Sequence, residues 1–221
     1  MKDFFSLDNP FNRFMTLVFD IALLSILFAV CSLPVVTFGA SAAALYSVML
    51  RRVRNEEGAI LKGFFQAFRE NFRQGTIAGL IFIAINLLMF LDYRLISVIQ
   101  NVTLAAVSAA AIMMVVLMTA GVFAYVFPLI ARYENSLRAA FNNAWRLAVI
   151  NLPKTIVLVV LNNLPILFLV LRTDIFVPFI MLWCFILAGT AAYINSKILR
   201  GIFDKLFPDE TAGDESGKGD E

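Results

Sequence analysis

The chain has 221 residues, of which 61% are apolar and only 15% charged, with 22 Phe and a formal net charge of +2. An ordinary soluble domain is about 45–50% apolar, so a water-soluble fold is excluded for want of polar surface, and a balance this near to neutral gives no ground for nucleic-acid binding. There is no histidine, which removes the commonest general base and the commonest metal ligand together.

In chain order, Met1–Asn9 carries both signs of charge and leads straight into apolar sequence. It reads as a retained signal anchor rather than a cleaved leader. Phe4 and Phe5 suit an interface. Asn9 can cap a helix that begins at Pro10, and Phe11, Phe14, Met15 and Val18 continue one face into the first span. A hydrocarbon layer of ~30 Å needs about 20 helical residues. Phe14–Leu33, Thr76–Phe90, Val102–Ile130, Thr155–Leu171 and Ile175–Ile194 meet or approach that length, the second running on toward Ile99 if tilted.

A further span is hidden. The apolar run from Phe14 to Leu50 is too long for one crossing. It must break at Leu33–Gly39, where Pro34 cannot donate within a helix and Gly39 can take a turn conformation. Ala40–Leu50 is then a short span or one arm of a re-entrant hairpin, and such broken backbone persists at membrane depth only when buried in protein or facing water. Six spans put Arg51–Gln74, Ala131–Lys154 and both termini on one side. Of the 18 Lys and Arg residues, all but Arg94 and Arg172 then share that side, which the positive-inside rule makes the cytoplasm. The outer loops, Leu91–Arg94 and Arg172–Asp174, are too short to hold a domain. Residues 1–207 read as one membrane domain and 208–221, rich in Gly, Asp and Glu, as a disordered cytoplasmic tail.

The two cytoplasmic loops resemble each other. Setting Glu57 on Glu134 without gaps brings Phe64 onto Phe141, Ala67 onto Ala144, Phe68 onto Trp145 and Arg69 onto Arg146. This suggests two parallel copies of span, amphipathic helix, span, an arrangement frequent among transporters. Ile60, Leu61, Phe64, Phe65, Phe68 and Phe72 fall on one helical stripe, with Lys62, Gln66, Arg69, Glu70 and Arg73 opposite; Leu137, Phe141, Ala144, Trp145 and Ala148 repeat the spacing. Such helices lie at the membrane interface or offer a docking surface, for which Arg69, Arg138, Trp145 and Arg146 are the candidate residues.

Polar groups within the apolar stretches are the other candidates, since they face protein or water. Asp20 is the one acid well inside such a stretch, either paired with a neighbouring Arg or forming a proton or cation site. Asn162 and Asn163 precede Pro165, which deprives the Leu161 carbonyl of its helical donor. They either bond between helices at a kink or line a path for substrate. Asn86 is similar and weaker. Gly39, Ala43 and the neighbouring alanines allow close helix packing. Cys31 and Cys184 lie in apolar stretches as small hydrophobes. No metal, cofactor or catalytic motif is expected, and the chain does not read as an enzyme.

Phe4-Phe5, Asp8–Met15, Cys31–Ala40, Ala44-Leu45-Tyr46 and Arg54–Gly58, with Phe64-Phe65 and Phe72-Arg73-Gln74, resemble the YesL family of multi-pass membrane proteins from Gram-positive bacteria. Ser25 departs from that pattern, where an Asn is expected. The resemblance is specific up to Gln74. It implies a membrane protein of no assigned activity, encoded beside carbohydrate ABC importers and sensor kinases. A second likeness is to the loop of sugar ABC permeases that docks the ATPase. Arg138-Ala139-Ala140, Ala144 and Ile150–Pro153 resemble it, with Arg in place of Glu, Ala in place of Gly, and a spacing about one helical turn short. The expectation is therefore an all-α membrane bundle of about six spans with amphipathic helices in two loops. Beyond the bilayer, its partner would be an ABC permease, its ATPase or a sensor kinase. The leading role is a non-enzymatic accessory component of carbohydrate import; the alternatives are a stand-alone small-solute transporter or channel and a regulator of a sensor kinase.

Overall fold

The computed structural model describes residues 10–56, 58–96, 98–133, 136–166 and 176–206, and every element among them is helical. Helix α1 (Pro10–Cys31) opens on a proline, whose missing N–H has no helical acceptor to lose at that position. It stops at the predicted break. Pro34 caps a single 3-10 turn, Val35–Thr37. The Thr37 hydroxyl donates to the Cys31 carbonyl (2.6 Å) and to the Pro34 carbonyl (2.8 Å), satisfying acceptors that the end of α1 leaves open.

Helix α2 (Phe38–Val53) follows directly, and Gly39–Leu50 are all buried. Of the two expectations placed on Gly39, close packing holds and the turn is corrected. Gly39 lies inside α2, and no glycine among the described residues has positive φ, so it is not a turn residue. Its use is steric: a Cβ there would fall on the Gly75 carbonyl oxygen and 2.8 Å from Gly79 Cα. The partner helix is α4 (Phe72–Ile96), which brings Gly75 and Gly79 to the seam. Glycines on both sides let two backbones meet, as small residues do in membranes. Between them, α3 (Ile60–Glu70) buries Phe64 and Ala67 against the end of α2.

Helix α5 (Val102–Arg132) is capped by the Asn101 side chain, which accepts from Leu104 N–H at 3.1 Å. Its 31 residues reach roughly 46 Å at about 1.5 Å per residue, beyond a hydrocarbon layer of ~30 Å. Gly121–Ile130, apart from Val122, are buried, while the first half of the helix stands largely open. Helix α6 (Leu137–Ile150), capped by Ser136, then turns by 110° at Asn151 into α7 (Leu152–Asn162). The last helical run is α8 (Phe176–Leu182), a π-helical turn at Trp183–Leu187, and α9 (Ala188–Leu206).

Four helical runs are long and apolar enough to cross a membrane: Phe11–Cys31, Phe72–Ile96, Val102–Arg132 and Phe176–Asp204. The bent pair α6 and α7 makes a fifth if it is one span. Helix α2 is why a count by length stops there. Its 16 residues reach only about 24 Å. The predicted stretch at Thr76–Phe90 extends in both directions, to Phe72–Ile96. The stretch at Thr155–Leu171 is interrupted by a turn at Asn163, ahead of Pro165, and its part beyond Ile166 lies outside the described residues. So do Phe4, Phe5, Asn9, the Glu57 and Glu134 of the repeat, Arg172 and the tail. Large apolar side chains such as Leu33 (78% exposed) and Val102 (82%) stand open on the outside, where lipid is the solvent that removes the penalty of exposing them.

One end of the bundle gathers the arginines. Arg52 on α2 pairs with Asp20 on α1 at 2.9 Å. Arg200 on α9 donates to the Val53 carbonyl at 2.8 Å. Arg132, at the end of α5, lies 3.6 Å from Asp204 and over the rings of Tyr133 and Phe203. The C-terminal ends of α2, α5 and α9 thus meet, and α3 and α6 leave from the same end.

Candidate functional site

Midway along the bundle, the helices do not close. Ala42, Ala120, Ala124, Ala188, Ala191 and Ala192 stand where helices from both halves of the chain converge, and side chains this short leave a cavity of about 280 Å³. Its walls are rings: Phe28, Phe38, Phe82, Phe123, Phe127 and Trp183. Phe38 sits among Phe28, Phe82 and Phe127 at centroid distances of 6.0, 6.4 and 6.0 Å, within the range of attractive ring contacts.

Besides the Trp183 indole N–H, the cavity's polar side chains are Tyr46, Asn162 and Asn163. Tyr46 projects from α2 and Asn162 ends α7; Asn195, from α9, bonds to both without lining the cavity. The Asn195 amide nitrogen donates to Asn162 Oδ1 at 2.7 Å and to the Tyr46 hydroxyl at 3.1 Å, and the Tyr46 hydroxyl lies 3.3 Å from the same Asn162 oxygen. Three helices far apart in sequence are joined by one acceptor. Asn195 is fully buried, and its own carbonyl oxygen has no partner. A buried acceptor without a donor is costly, and a native site that keeps one calls for an explanation.

The predicted polar residues divide. Asn162 joins helices and lines the cavity at once. Asn163 lines it too, while its amide donates to the Val159 carbonyl of its own helix at 2.8 Å. Asn86 donates to the Phe82 carbonyl at 2.8 Å and lies outside the cluster. Asp20 is buried toward the arginine-rich end, in the pair with Arg52. Pro34 and Pro165 stand at breaks. Pro165 lies just beyond α7 and itself lines the cavity. Both cysteines are free. Among the described residues, no three His, Cys, Asp or Glu side chains come together as metal ligands.

Tyr46 and Asn195 were not anticipated. Tyr46 is a lone phenol among small residues, and Asn195 stands beside Ser196 and Lys197 in what reads as the wet end of a span. The available signal was the requirement that a buried polar group find a partner, and it named no partner. Also missed was the contact of α1 with α9. The Ser25 hydroxyl donates to the Ile21 carbonyl and accepts from Gly189 N–H, both at 2.8 Å, just after the π turn that carries Trp183.

The candidate docking residues lie at the arginine-rich end. Arg69 on α3 and Arg138, Trp145 and Arg146 on α6 are all exposed, with Phe65 and Phe72 also open beside Arg69. The opposite faces of these helices, Phe64 and Ala67 in one and Ala140, Ala144, Leu147 and Ala148 in the other, are buried.

Residues 21–93 match the family described as "Protein of unknown function, DUF624". Over 147 residues the chain is 28% identical to "Uncharacterized protein YesL" of Bacillus subtilis (strain 168), covering 65% of this chain and 68% of that one. No solved structure matches.

Proposed function

We propose that this is a YesL-family membrane protein, as both matches support, and that it is a non-enzymatic accessory component of carbohydrate ABC import. It would cross the bacterial cell membrane six times, with α2 as a short span and with the arginine-rich end and both termini in the cytoplasm. The permease would pack along the open half of α5, and its ATPase or another cytoplasmic protein would meet α3 and α6. The observation that carries this reading is the exposed face of those two helices. Arginines and aromatics together are what protein interfaces favour, and here they stand outward on helices whose other faces are already buried. The positive-inside rule supports the orientation. The carbohydrate role is what the family resemblance implies.

The test is recovery of the tagged chain in mild detergent from a bacterium growing on complex polysaccharide. A permease or its ATPase should accompany it in stoichiometric amount, and Arg138→Glu with Arg146→Glu should remove that partner while leaving the protein in the membrane. Recovery of a sensor kinase instead would favour the regulatory role. The central cavity favours a second reading, a stand-alone small-solute transporter. In that case the chain should be recovered alone and should move solute when it is the sole protein in liposomes.

A further inference from the structure

A groove of about 410 Å³ opens outward between α5, α6 and α7, walled by Met118 and Gly121, Trp145 and Val149, and Ile156 and Val160 with further apolar side chains. Only Trp145 and Thr155 bring a side-chain nitrogen or oxygen to its lining. The Thr155 hydroxyl already lies 3.0 Å from the Ala148 carbonyl, the Asn151 carbonyl and the Tyr125 hydroxyl, which leaves the Trp145 N–H for an occupant. A water-soluble molecule would leave its own polar groups unmet there, at a desolvation penalty that hydrocarbon does not incur. A packing helix is about 10–12 Å across, so a single turn of one exceeds this volume, whereas a flexible chain can follow the groove.

The elbow gives the groove a direction. Helix α6 meets α7 at 110°, so with α7 running into the bilayer, α6 lies along its surface. On α6 the rim continues as an exposed stripe, Val149, Trp145, Asn142 and Arg138 recurring at helical spacing, with Arg146 exposed beside it. Residues 137–162 include Arg138, Arg146 and Lys154 and no acid, and none of the three cations is paired with an acid among the described residues. Hydrocarbon lining thus runs up to a tryptophan, a side chain suited to the boundary of a bilayer, and beyond it to uncompensated positive charge.

We propose that the groove holds one anionic phospholipid, an acyl chain against Gly121, Ile156 and Val160, its glycerol backbone at Trp145 and its phosphate toward Arg138 and Arg146. With this end in the cytoplasm the lipid is one of the inner leaflet, whose anionic headgroups attract basic segments. The site goes beyond the accessory role and needs no protein partner.

The test takes the full-length protein, stripped of lipid in detergent, and titrates it with dioleoylphosphatidylglycerol or dioleoylphosphatidylcholine while bound lipid is counted by native mass spectrometry. The first phosphatidylglycerol should be retained at a concentration about ten- to thirtyfold below that needed for phosphatidylcholine. Arg138→Gln with Arg146→Gln, both on the surface, should bring the two lipids level. Val149→Trp with Val160→Trp, exposed positions on the groove wall, should fill the groove and weaken retention of phosphatidylglycerol. Glycerol phosphate, the headgroup without its chains, should not displace the lipid. Equal retention of the two lipids by the parent protein overturns the proposal, as does a preference that the glutamines leave intact. Undiminished retention in the filled variant, or displacement by glycerol phosphate, overturns it too, since the arginines would then hold a headgroup without the groove. A dimer that takes up no lipid also overturns it, by giving the groove to a second copy of the chain.

Discussion

The trio α2–α3–α4 and the trio α5–α6–α7 share a plan and differ in how tightly they are drawn together. In each, a helix runs to the arginine-rich end, a short amphipathic helix packs its small and aromatic residues beneath it, and the chain turns back at an asparagine. Asn71 and Asn151 mark the two joints, and each amide donates to the carbonyl four residues earlier, at 2.9 and 3.3 Å. Ala67 and Ala144, matched in the sequence repeat, are both fully buried. Beyond the joints the likeness ends. Counted from each asparagine, Thr155 takes the place of Gly75 and Val159 that of Gly79. The first trio closes backbone to backbone at Gly39, Gly75 and Gly79. The second meets through the Thr155 side chain on Gly121 and leaves an outward groove of about 410 Å³, floored by Gly121 and flanked by Trp145 and Ile156. One plan has thus yielded a sealed wall and a splayed one, and the identity of a few small residues decides which.

The largest effect is expected where the wall is sealed. Gly39→Ala would drive a methyl onto the Gly75 carbonyl and the Gly79 Cα, and backbone cannot swing aside as a side chain can. Overpacking usually costs about 1–3 kcal/mol, and a clash with backbone on two sides belongs at ~3 kcal/mol or above. Thermal unfolding in detergent, or the monodisperse yield, should show a variant that barely folds. A melting temperature equal to that of the parent would mean that α2 and α4 are not joined at this seam.

Much of this was legible in the sequence, and the limits are instructive. The positions of apolar stretches and of the arginines follow from composition along the chain, which is a local property. The faces of α3 and α6 follow from spacing alone, and the interruption before Pro165 from its missing donor. Gly39 was assigned both to a turn after Pro34 and to close helix packing, because a small residue near a break suits a bend as well as a crossing, and the structure keeps the second. The difference lay in Gly75 and Gly79, whose spacing is visible but whose partner helix is not. Asn162 was recognised as a polar group needing a partner. That the partners are Tyr46 and Asn195 is a fact of tertiary pairing, which no periodicity encodes.

A middle effect is expected at the second joint. The Thr155 hydroxyl lies 3.0 Å from the Ala148 carbonyl, the Asn151 carbonyl and the Tyr125 hydroxyl. It therefore ties the 110° turn between α6 and α7 to the buried part of α5. Thr155→Val keeps the shape and removes the bonds, leaving the fully buried Tyr125 hydroxyl without this partner. A loss of about 1–2 kcal/mol is expected, read as a lower melting temperature. Tyr125→Phe with Thr155→Val should recover part of it, because removing both polar groups is milder than stranding one. If the double variant is no better than Thr155→Val alone, the Tyr125 bond contributes nothing to the joint.

The smallest effect is expected from the change that imitates the first on the splayed wall. A methyl on Gly121 would meet only Thr155 Cγ2, at 3.1 Å. That contact is tight, but its partner is a side chain beside an open groove, and a shift of a few tenths of an ångström relieves it. Against this small penalty stands the gain of about 0.5–1 kcal/mol that alanine brings over glycine within a helix. Gly121→Ala should therefore leave the melting temperature almost unchanged, with a net effect within about 0.5 kcal/mol. The same substitution would then be crippling in one trio and silent in the other. A loss at Gly121 comparable to that at Gly39 would mean that α5 and α7 draw together in the membrane and that the groove at Trp145 closes there.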